Sequence, residues 1–280
     1  MISARTALYA VVGHPVGHSL SPAMHNAAFA ALGLDAAYLA LDVEPDRLLE
    51  GLRGAHALGF QGLNVTVPHK RRAAGICLSL DPVARLAGAV NTLRRGPDGW
   101  EGFNTDAPAA LALLEAAGVR AGARALLLGA GGASRAGAWA LLSAGCAVHV
   151  AARRPEAALE LCQAFSAAFP HGRVAAVSWY GAAAECASCD VVVNGTSIGL
   201  GGQAEALPPV AFRSGQVAVD FVYGDTAFSR EAVAAGARLV SGERILVRQG
   251  ALAFALWTGQ PAPEPIMAQA LERAAGGARP

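Results

Sequence analysis

The sequence predicts an α/β protein of two domains built mainly on parallel sheets, and three observations carry that expectation. Strand-like and helix-like segments alternate along most of the chain. Many of them close on one of its 33 glycines or 15 prolines, residues that punctuate regular structure. A second strand-rich series restarts near Asp106 with a glycine turn of its own, and 280 residues leave room for two domains of ordinary size.

The elements follow in order. Ala7 to Val12 reads as a short apolar strand closed by Gly13-His14-Pro15. Ser21-Pro22 then opens a helix, with serine as N-cap and proline in the first turn, running past Phe29 to Gly33. Tyr38 to Val43 is a second strand and Pro45 to Gly54 a second helix. Gly62 to Val67 is a third strand stopped by Pro68. Asp81-Pro82 starts a helix that Gly88 ends. Ala89 to Arg94 and Trp100 to Asn104 are strands joined by the turn Gly96-Pro97-Asp98-Gly99. An alanine-rich helix begins at Thr105-Asp106 and reaches about Gly118. A βαβ unit comes next, from Ala125 through a helix ending near Leu142 to the strand Ala147–Ala151. Val191 to Asn194 and Val217 to Phe221 are further strands. A helix from Arg244 to Gly259 and a last helix beyond Pro265 complete the series.

Composition narrows the function. With 54% hydrophobic and 15% charged residues, the chain is no disordered polyelectrolyte. A net charge of +1 gives no general attraction to nucleic acid or an anionic membrane. No apolar run approaches the roughly 18 residues of a membrane helix. Leu8 to Val12 runs straight into Gly13-His14-Pro15 and does not read as a signal peptide. Five cysteines, an odd number in a chain of this size, point to a reducing cytoplasm rather than a disulfide framework. Cys186 and Cys189 form one CxxC, but no second pair exists to close a zinc site, so the spacing reads as incidental and no metal is expected.

Chemistry enters at Leu126 to Arg135, a strand, a glycine turn and a helix start in that order. Gly129 permits the tight turn, Gly131 lets backbone approach a pyrophosphate, and the helix N-terminus offers free N–H groups. The turn Gly129, Ala130, Gly131, Gly132 and Ala133 is therefore a candidate dinucleotide site, although Ser134 stands where a third glycine is usual. An NAD site usually has an acid about 20 residues further on. Here the segment is Ala152-Arg153-Arg154. Two guanidinium groups suit a 2′-phosphate, so the expected cofactor is NADP; solvated loop arginines are the plain alternative.

Four polar segments fall where first-domain strands end: Ser19 to Ser21, Asn64 to Lys70, Gly88 to Thr92, and Gly102 to Asp106. Ligands in open α/β sheets sit beyond the carboxyl ends of strands. Hydroxyls, amides, one amine and one carboxylate suit a small polyhydroxylated anion. Each also has a plainer reading: Ser21 as a cap, Thr66 as a strand residue, Asn91 as a turn amide, Lys70 as a solvated helix start beside Arg71 and Arg72.

These segments together resemble the shikimate dehydrogenase family. The resemblance covers nearly the whole chain: Gly13 to Pro22, Asn64 to Lys70, Gly88 to Leu93, Asn104 to Asp106, Gly129 to Ala136, Asn194 to Ser197, Asp220 to Tyr223, and Gln249. It implies reversible NADPH-dependent reduction of 3-dehydroshikimate to shikimate in aromatic amino-acid biosynthesis. It also implies a three-layer α/β/α substrate domain (residues 1–106), a Rossmann-type NADP domain (107–245), and C-terminal helices (246–280) returning to the substrate domain. By the same resemblance Ser19 and Ser21 bind the substrate carboxylate. Thr66, Asn91 and Gln249 hold ring hydroxyls, Tyr223 lies near substrate, Thr196 belongs to the cofactor site, and Lys70 and Asp106 are the catalytic pair. The expected partner is a small molecule, with no nucleic acid or membrane, and the chain is a monomer or homodimer.

The chemistry fits that pair. Hydride transfer to a ketone leaves one proton to be delivered to the oxygen, and the protein must supply it. A lysine amine, with an ordinary pKa of about 10.4, is an acid at neutral pH. Departures from the family lie on the cofactor side: Ala152-Arg153-Arg154 in the ribose loop, Arg244-Ile245 where Gly-Met is usual, and Arg248 where glycine precedes the glutamine. A quinate or aminoshikimate dehydrogenase is the nearest alternative. A methylene-tetrahydrofolate dehydrogenase and a non-catalytic NADP-binding regulator are more distant ones.

Overall fold

The computed structural model describes residues 2–199 and 207–277. The chain divides into two units, Met1–Thr105 with Leu246–Pro280, and Asp106–Ile245, so the later division falls inside one helix. The first unit contains β1 (Ala7–Gly13), α1 (Ser21–Ala31), β2 (Ala36–Asp42), α2 (Leu48–Ala57), β3 (Gly62–Val65), α3 (Lys70–Ala74), β4 (Ser79–Leu80), α4 (Pro82–Ala87), β5 (Thr92–Arg95) and β6 (Trp100–Phe103). The second contains α5 (Asp106–Ala116), β7 (Arg124–Leu128), α6 (Gly132–Ser143), β8 (Ala147–Ala151), α7 (Pro155–Ala168), β9 (Arg173–Val177), α8 (Ala182–Ser188), β10 (Val191–Asn194), β11 (Val217–Asp220), α9 (Ala227–Ala234) and β12 (Arg238–Val240). α10 (Gly242–Thr258) runs out of the second unit, and α11 (Glu264–Gly277) follows it.

The first unit is a mixed sheet in the order β2-β1-β3-β5-β6-β4. β1 pairs parallel with β2 and β3, whereas β5 runs antiparallel to both β3 and β6. The sheets are mainly parallel, as expected, and the antiparallel pairings are those of β5. A four-residue turn joins β5 to β6, and so short a connection reverses the chain rather than crossing over. Alternation along β1 makes the layers. Ala10 and Val12 face one cluster with Leu48, Leu52, Leu63 and Leu93; Tyr9 and Val11 face the other with Met24, Phe29, Phe254, Met267 and Leu271. Helices cover both sides, α1, α10 and α11 on the second.

The second unit is an all-parallel sheet ordered β12-β11-β10-β7-β8-β9. Counted from β7 this is the 3-2-1-4-5-6 order of dinucleotide-binding folds, with the switch point between β7 and β10. Its strands are near-continuous apolar runs because both faces are covered. Leu126, Leu128, Val192 and Ala218 pack with Cys186, Phe228 and Ala232, while Gly137 of α6 lies close to Leu127, Val193 and Phe221.

Several boundaries move from those expected. Leu20, not Ser21, is the N-cap of α1, and no side chain caps that helix. β3 ends at Val65 rather than Val67, because Thr66 turns to accept the His69 N–H at 2.9 Å. β5 begins at Thr92 rather than Ala89. The α4 prediction holds: the Asp81 side chain accepts from the Ala84 N–H and Gly88 closes the helix at φ 58°.

Candidate functional site

In the first unit the strand register gathers the polar segments at one end of the sheet. Asn64 pairs with Thr92 and Thr92 with Phe103, so the residue after β3, the residue before β5 and those after β6 share the carboxyl end of β1 and β3. Asn91 is the hub. It is 2% exposed; its Nδ2 donates to Thr105 Oγ1 at 2.9 Å and Gln249 Oε1 at 3.2 Å, and its Oδ1 accepts the Thr105 N–H at 2.7 Å. Gln249 reaches this cluster from α10 and donates its own amide to Leu246 O at 2.9 Å. Asn91 and Gln249, 158 positions apart in sequence, are thus brought together as expected of a common site.

Thr66 and Lys70 lie on the loop beyond β3. The Thr66 N–H donates to Val12 O at 2.9 Å, and Lys70 O accepts the Val90 N–H at 2.9 Å, next to Asn91. Lys70 opens the short α3 and is partly buried, which argues against a wholly solvated helix start. Asp106 is 5% exposed, begins α5 and follows Thr105 directly. On the arm after β1, the Ser21 N–H donates to Ser19 Oγ at 3.4 Å. Ser21 is buried and has no capping duty, so the plain reading of it as an N-cap falls away.

In the second unit Gly129 follows β7 at φ 99°, where a side chain is strained. A Cβ there would also stand 2.7 Å from Ser134 Oγ. Gly131, the N-cap of α6, has nothing within 4 Å of its Cβ direction, which leaves open space over the turn. No side chain caps α6, so the N–H groups of its first turn are available to a phosphate. Ser134 explains the missing third glycine. Its hydroxyl donates to Gly195 O at 2.9 Å, and the close approach falls on Gly195, whose Cβ would stand 2.8 Å from Ser134 Cα. Arg153 and Arg154 are exposed just past β8, the neighbour of β7, and Arg154 precedes α7. This donor set fits a dinucleotide carrying a 2′-phosphate.

Thr196 is held differently from a free ligand group. Its hydroxyl donates to Asn194 Oδ1 at 2.7 Å and accepts from the Ile198 N–H at 3.1 Å, so it shapes the turn. Asn194 in turn donates to Asp220 at 2.9 Å. Asp220 is fully buried, accepting also from Thr226 at 2.6 Å and Ser229 at 3.1 Å; burial raises its carboxyl above the usual range. Tyr223 is partly buried in the loop after β11, and burial raises its phenol. The backbone beside Tyr223 is pinned by α10: Gly224 N–H donates to Glu243 at 2.6 Å, and Gly242 packs on Val222.

The replaced family positions on α10 are accommodated. Arg244 is exposed, Ile245 is 3% exposed in the core, and Arg248 pairs with Glu264 of α11. Cys186 and Cys189 are free, buried core thiols, and burial raises both above the usual range. Among the described residues no group of His, Cys, Asp and Glu could hold a metal ion, and no helix is long and apolar enough to cross a membrane. Sequence reasoning assigned no role to Asn64, Thr105, Asn194 or Asp220. The first two lay inside segments already noted for their polarity, and the other two inside segments that carry the family resemblance, with no role attached to either.

Comparison with known proteins agrees with this architecture. Residues 11–93 match the model of the shikimate dehydrogenase substrate binding domain, and residues 242–272 that of the shikimate 5'-dehydrogenase C-terminal domain. The chain is 66% identical over 276 residues to a shikimate dehydrogenase (NADP(+)) of Anaeromyxobacter sp. strain K, covering 99% of each. It is 47% identical over 282 residues to the enzyme of that name from Moorella thermoacetica, covering 98% of this chain and 96% of the relative. A solved shikimate 5-dehydrogenase from Thermus thermophilus, in complex with NADP(H) and shikimate, superposes with TM-score 0.84 at 41% identity, covering 96% of this chain and all (100%) of that one. A quinate dehydrogenase from Corynebacterium glutamicum in complex with NAD gives TM-score 0.86 at 28% identity, covering 96% and 99%. With its glycine turn, its Asn91–Gln249 cluster and relatives of this identity along its whole length, the chain belongs to the shikimate dehydrogenase family.

Proposed function

We propose that this chain catalyses the reversible NADPH-dependent reduction of 3-dehydroshikimate to shikimate, with Lys70 moving the proton and Asp106 as its partner. One observation supports this reading above the others. Amide and hydroxyl groups from four separate segments, Ser19–Ser21, Thr66, Asn91–Thr105 and Gln249, serve one end of the first-unit sheet, as a ring bearing a carboxylate and several hydroxyls requires. Residues 1–106 bind the substrate, 107–245 bind NADP, and 246–280 return Gln249 to the substrate domain. Ser19 and Ser21 take the carboxylate; Thr66, Asn91 and Gln249 take ring hydroxyls, with Tyr223 nearby. Gly129 to Ala133 and Thr196 shape the pyrophosphate turn, and Arg153 and Arg154 select the 2′-phosphate. The enzyme works in the cytoplasm as a monomer or homodimer.

Nicotinamide supplies the hydride to the carbonyl carbon. Every proton step falls to the protein. As the carbonyl oxygen becomes an alkoxide, the Lys70 ammonium donates one proton to it, and the product alcohol leaves a neutral amine that solvent reprotonates. In the reverse direction the amine takes that proton back. Asp106 fixes the ammonium and accepts from a neighbouring hydroxyl. Such acid–base help is typically worth about 10²–10⁴-fold in rate. Lys70→Met is therefore expected to lower kcat by at least about 10²-fold while the shikimate KM changes by only a few-fold. Steady-state oxidation of shikimate checks this. A rise confined to KM would make Lys70 a positioning residue instead.

A further inference from the structure

Four donors converge on the buried carboxylate of Asp220. Its Oδ1 accepts from Asn194 Nδ2 at 2.9 Å and from the Val222 N–H at 3.0 Å. Its Oδ2 accepts from Thr226 Oγ1 at 2.6 Å and from Ser229 Oγ at 3.1 Å. Both oxygens are engaged, and the side chain stands fixed between the end of β11, the loop after it and the start of α9. Asn194 is buried too. It is the last residue of β10, in register with Asp220 at the end of β11 on one side and with Leu128 at the end of β7 on the other. The three strands therefore end level, and the residue after Leu128 is Gly129 of the glycine turn.

An ionised carboxylate only accepts, so it decides which end of the Asn194 amide faces it. The amide nitrogen turns to Asp220, and the oxygen is left for the segment after β10. That oxygen takes the Thr196 N–H at 3.1 Å and the Thr196 hydroxyl at 2.7 Å, while Thr196 Oγ1 accepts the Ile198 N–H at 3.1 Å. One amide thus folds the turn. The turn lies against Gly129, where a Cβ would stand 3.0 Å from Thr196 Cγ2 and 3.3 Å from the Gly195 carbonyl carbon. It is tied there by the Gly195 N–H, which donates to Leu128 O at 2.9 Å, and by Ser134, which donates to Gly195 O at 2.9 Å. Hydrogen bonds run without a break from Asp220 to Thr196, and packing carries them to Gly129. With the amide reversed, its nitrogen would face the Thr196 N–H, donor against donor.

We infer that Asp220 is a positioning residue for NADP: it sets the Asn194 amide and, through it, the turn 195–198 that backs the glycine turn. This rests on the dinucleotide site read at Gly129 to Ala133 and is independent of which acid is oxidised. A turn left slack must be ordered as the pyrophosphate binds, and that cost appears as weaker affinity. A ligand that reaches only the arginines past β8 does not meet it.

The test is calorimetric titration with NADP and with 2′-AMP, which carries the 2′-phosphate but no pyrophosphate. The proteins are wild type, Asp220→Ala, Asp220→Asn, Asn194→Ala and the double alanine variant, with thermal melts of each. Asp220→Ala is expected to raise the NADP Kd about tenfold and to leave the 2′-AMP Kd within about twofold. Asp220→Asn keeps an acceptor for Asn194 and should hold the NADP Kd within about threefold of wild type. In the double variant the two effects on the NADP Kd should fall well short of multiplying, because both act on one series of bonds. Asp220→Ser serves if the alanine variant melts too low to titrate. Its hydroxyl stops a bond short of Asn194, and the NADP Kd should rise at least about threefold with 2′-AMP unmoved. An NADP Kd within about twofold of wild type in the variant assayed, or equal weakening of NADP and 2′-AMP, would overturn the inference alone. So would an asparagine variant as weak as the alanine one, or full multiplication in the double variant. Wild-type protein that binds no NADP would overturn the cofactor reading and this inference with it.

Discussion

Arg153 and Arg154 stand where a ribose-binding acid would favour NAD, and both are exposed beyond the end of β8. A guanidinium gains nothing from NAD at that position, whereas a 2′-phosphate offers it two charge-assisted hydrogen bonds. Arg153→Ala is expected to raise the NADP KM about tenfold or more and to leave the NAD KM within about twofold, read from paired saturation curves. An unchanged ratio of the two would assign cofactor choice elsewhere. The same scale shows where sequence reading stops. Asn91 and Gln249 could be named from motifs, but their direct hydrogen bond depends on the fold. Ser21 looked like a helix cap because its neighbour is proline; the helix starts one residue earlier, with Leu20 as its N-cap. Asp220 stood out only as part of a family motif, since a carboxylate that holds Asn194, Thr226 and Ser229 is visible only once three segments have met.

Among the elements, α10 depends on one close contact. Trp257 Nε1 donates to Leu93 O at 2.9 Å, and the indole lies so near β3 that a Cβ on Gly62 would stand 2.3 Å from Nε1. The indole is wedged against Tyr9 and His25, at centroid distances of 5.2 and 5.5 Å, so it has little room to retreat. Gly62→Ala is expected to destabilise the protein by about 1–3 kcal/mol by overpacking and to loosen the helix that carries Gln249. Chemical denaturation measures the first effect and the shikimate KM the second; a variant as stable as wild type would show that α10 tolerates a shift. Elements with strong local punctuation were legible: β7, the glycine turn, α6 and β8 follow from apolar runs and glycines within 28 residues, Arg124 to Ala151. Helices α7, α8 and α9 were not anticipated, and the strands that were missed are short or at a sheet edge. β4 has two residues and β12 three, and β9 pairs only with β8, so too few side chains alternate to announce them.

For the whole molecule, the class and the pairing of one mixed sheet with one parallel sheet follow from two different patterns. In the second unit, strand–helix alternation leads to the 3-2-1-4-5-6 order and places the glycine turn at the switch point. In the first, the hairpin of β5 and β6 reverses part of the sheet, and by doing so returns Asn91 and Thr105 to the end where β1 and β3 finish. That reversal gathers dispersed polar segments at one end of the sheet. The most direct measurement of the account is the rate of nicotinamide reduction by the purified protein with shikimate and with quinate, each with NADP and with NAD. The account predicts the highest kcat/KM for shikimate with NADP, by at least about tenfold over every other combination. Preference for quinate with NAD, or no reduction with either acid, would contradict it.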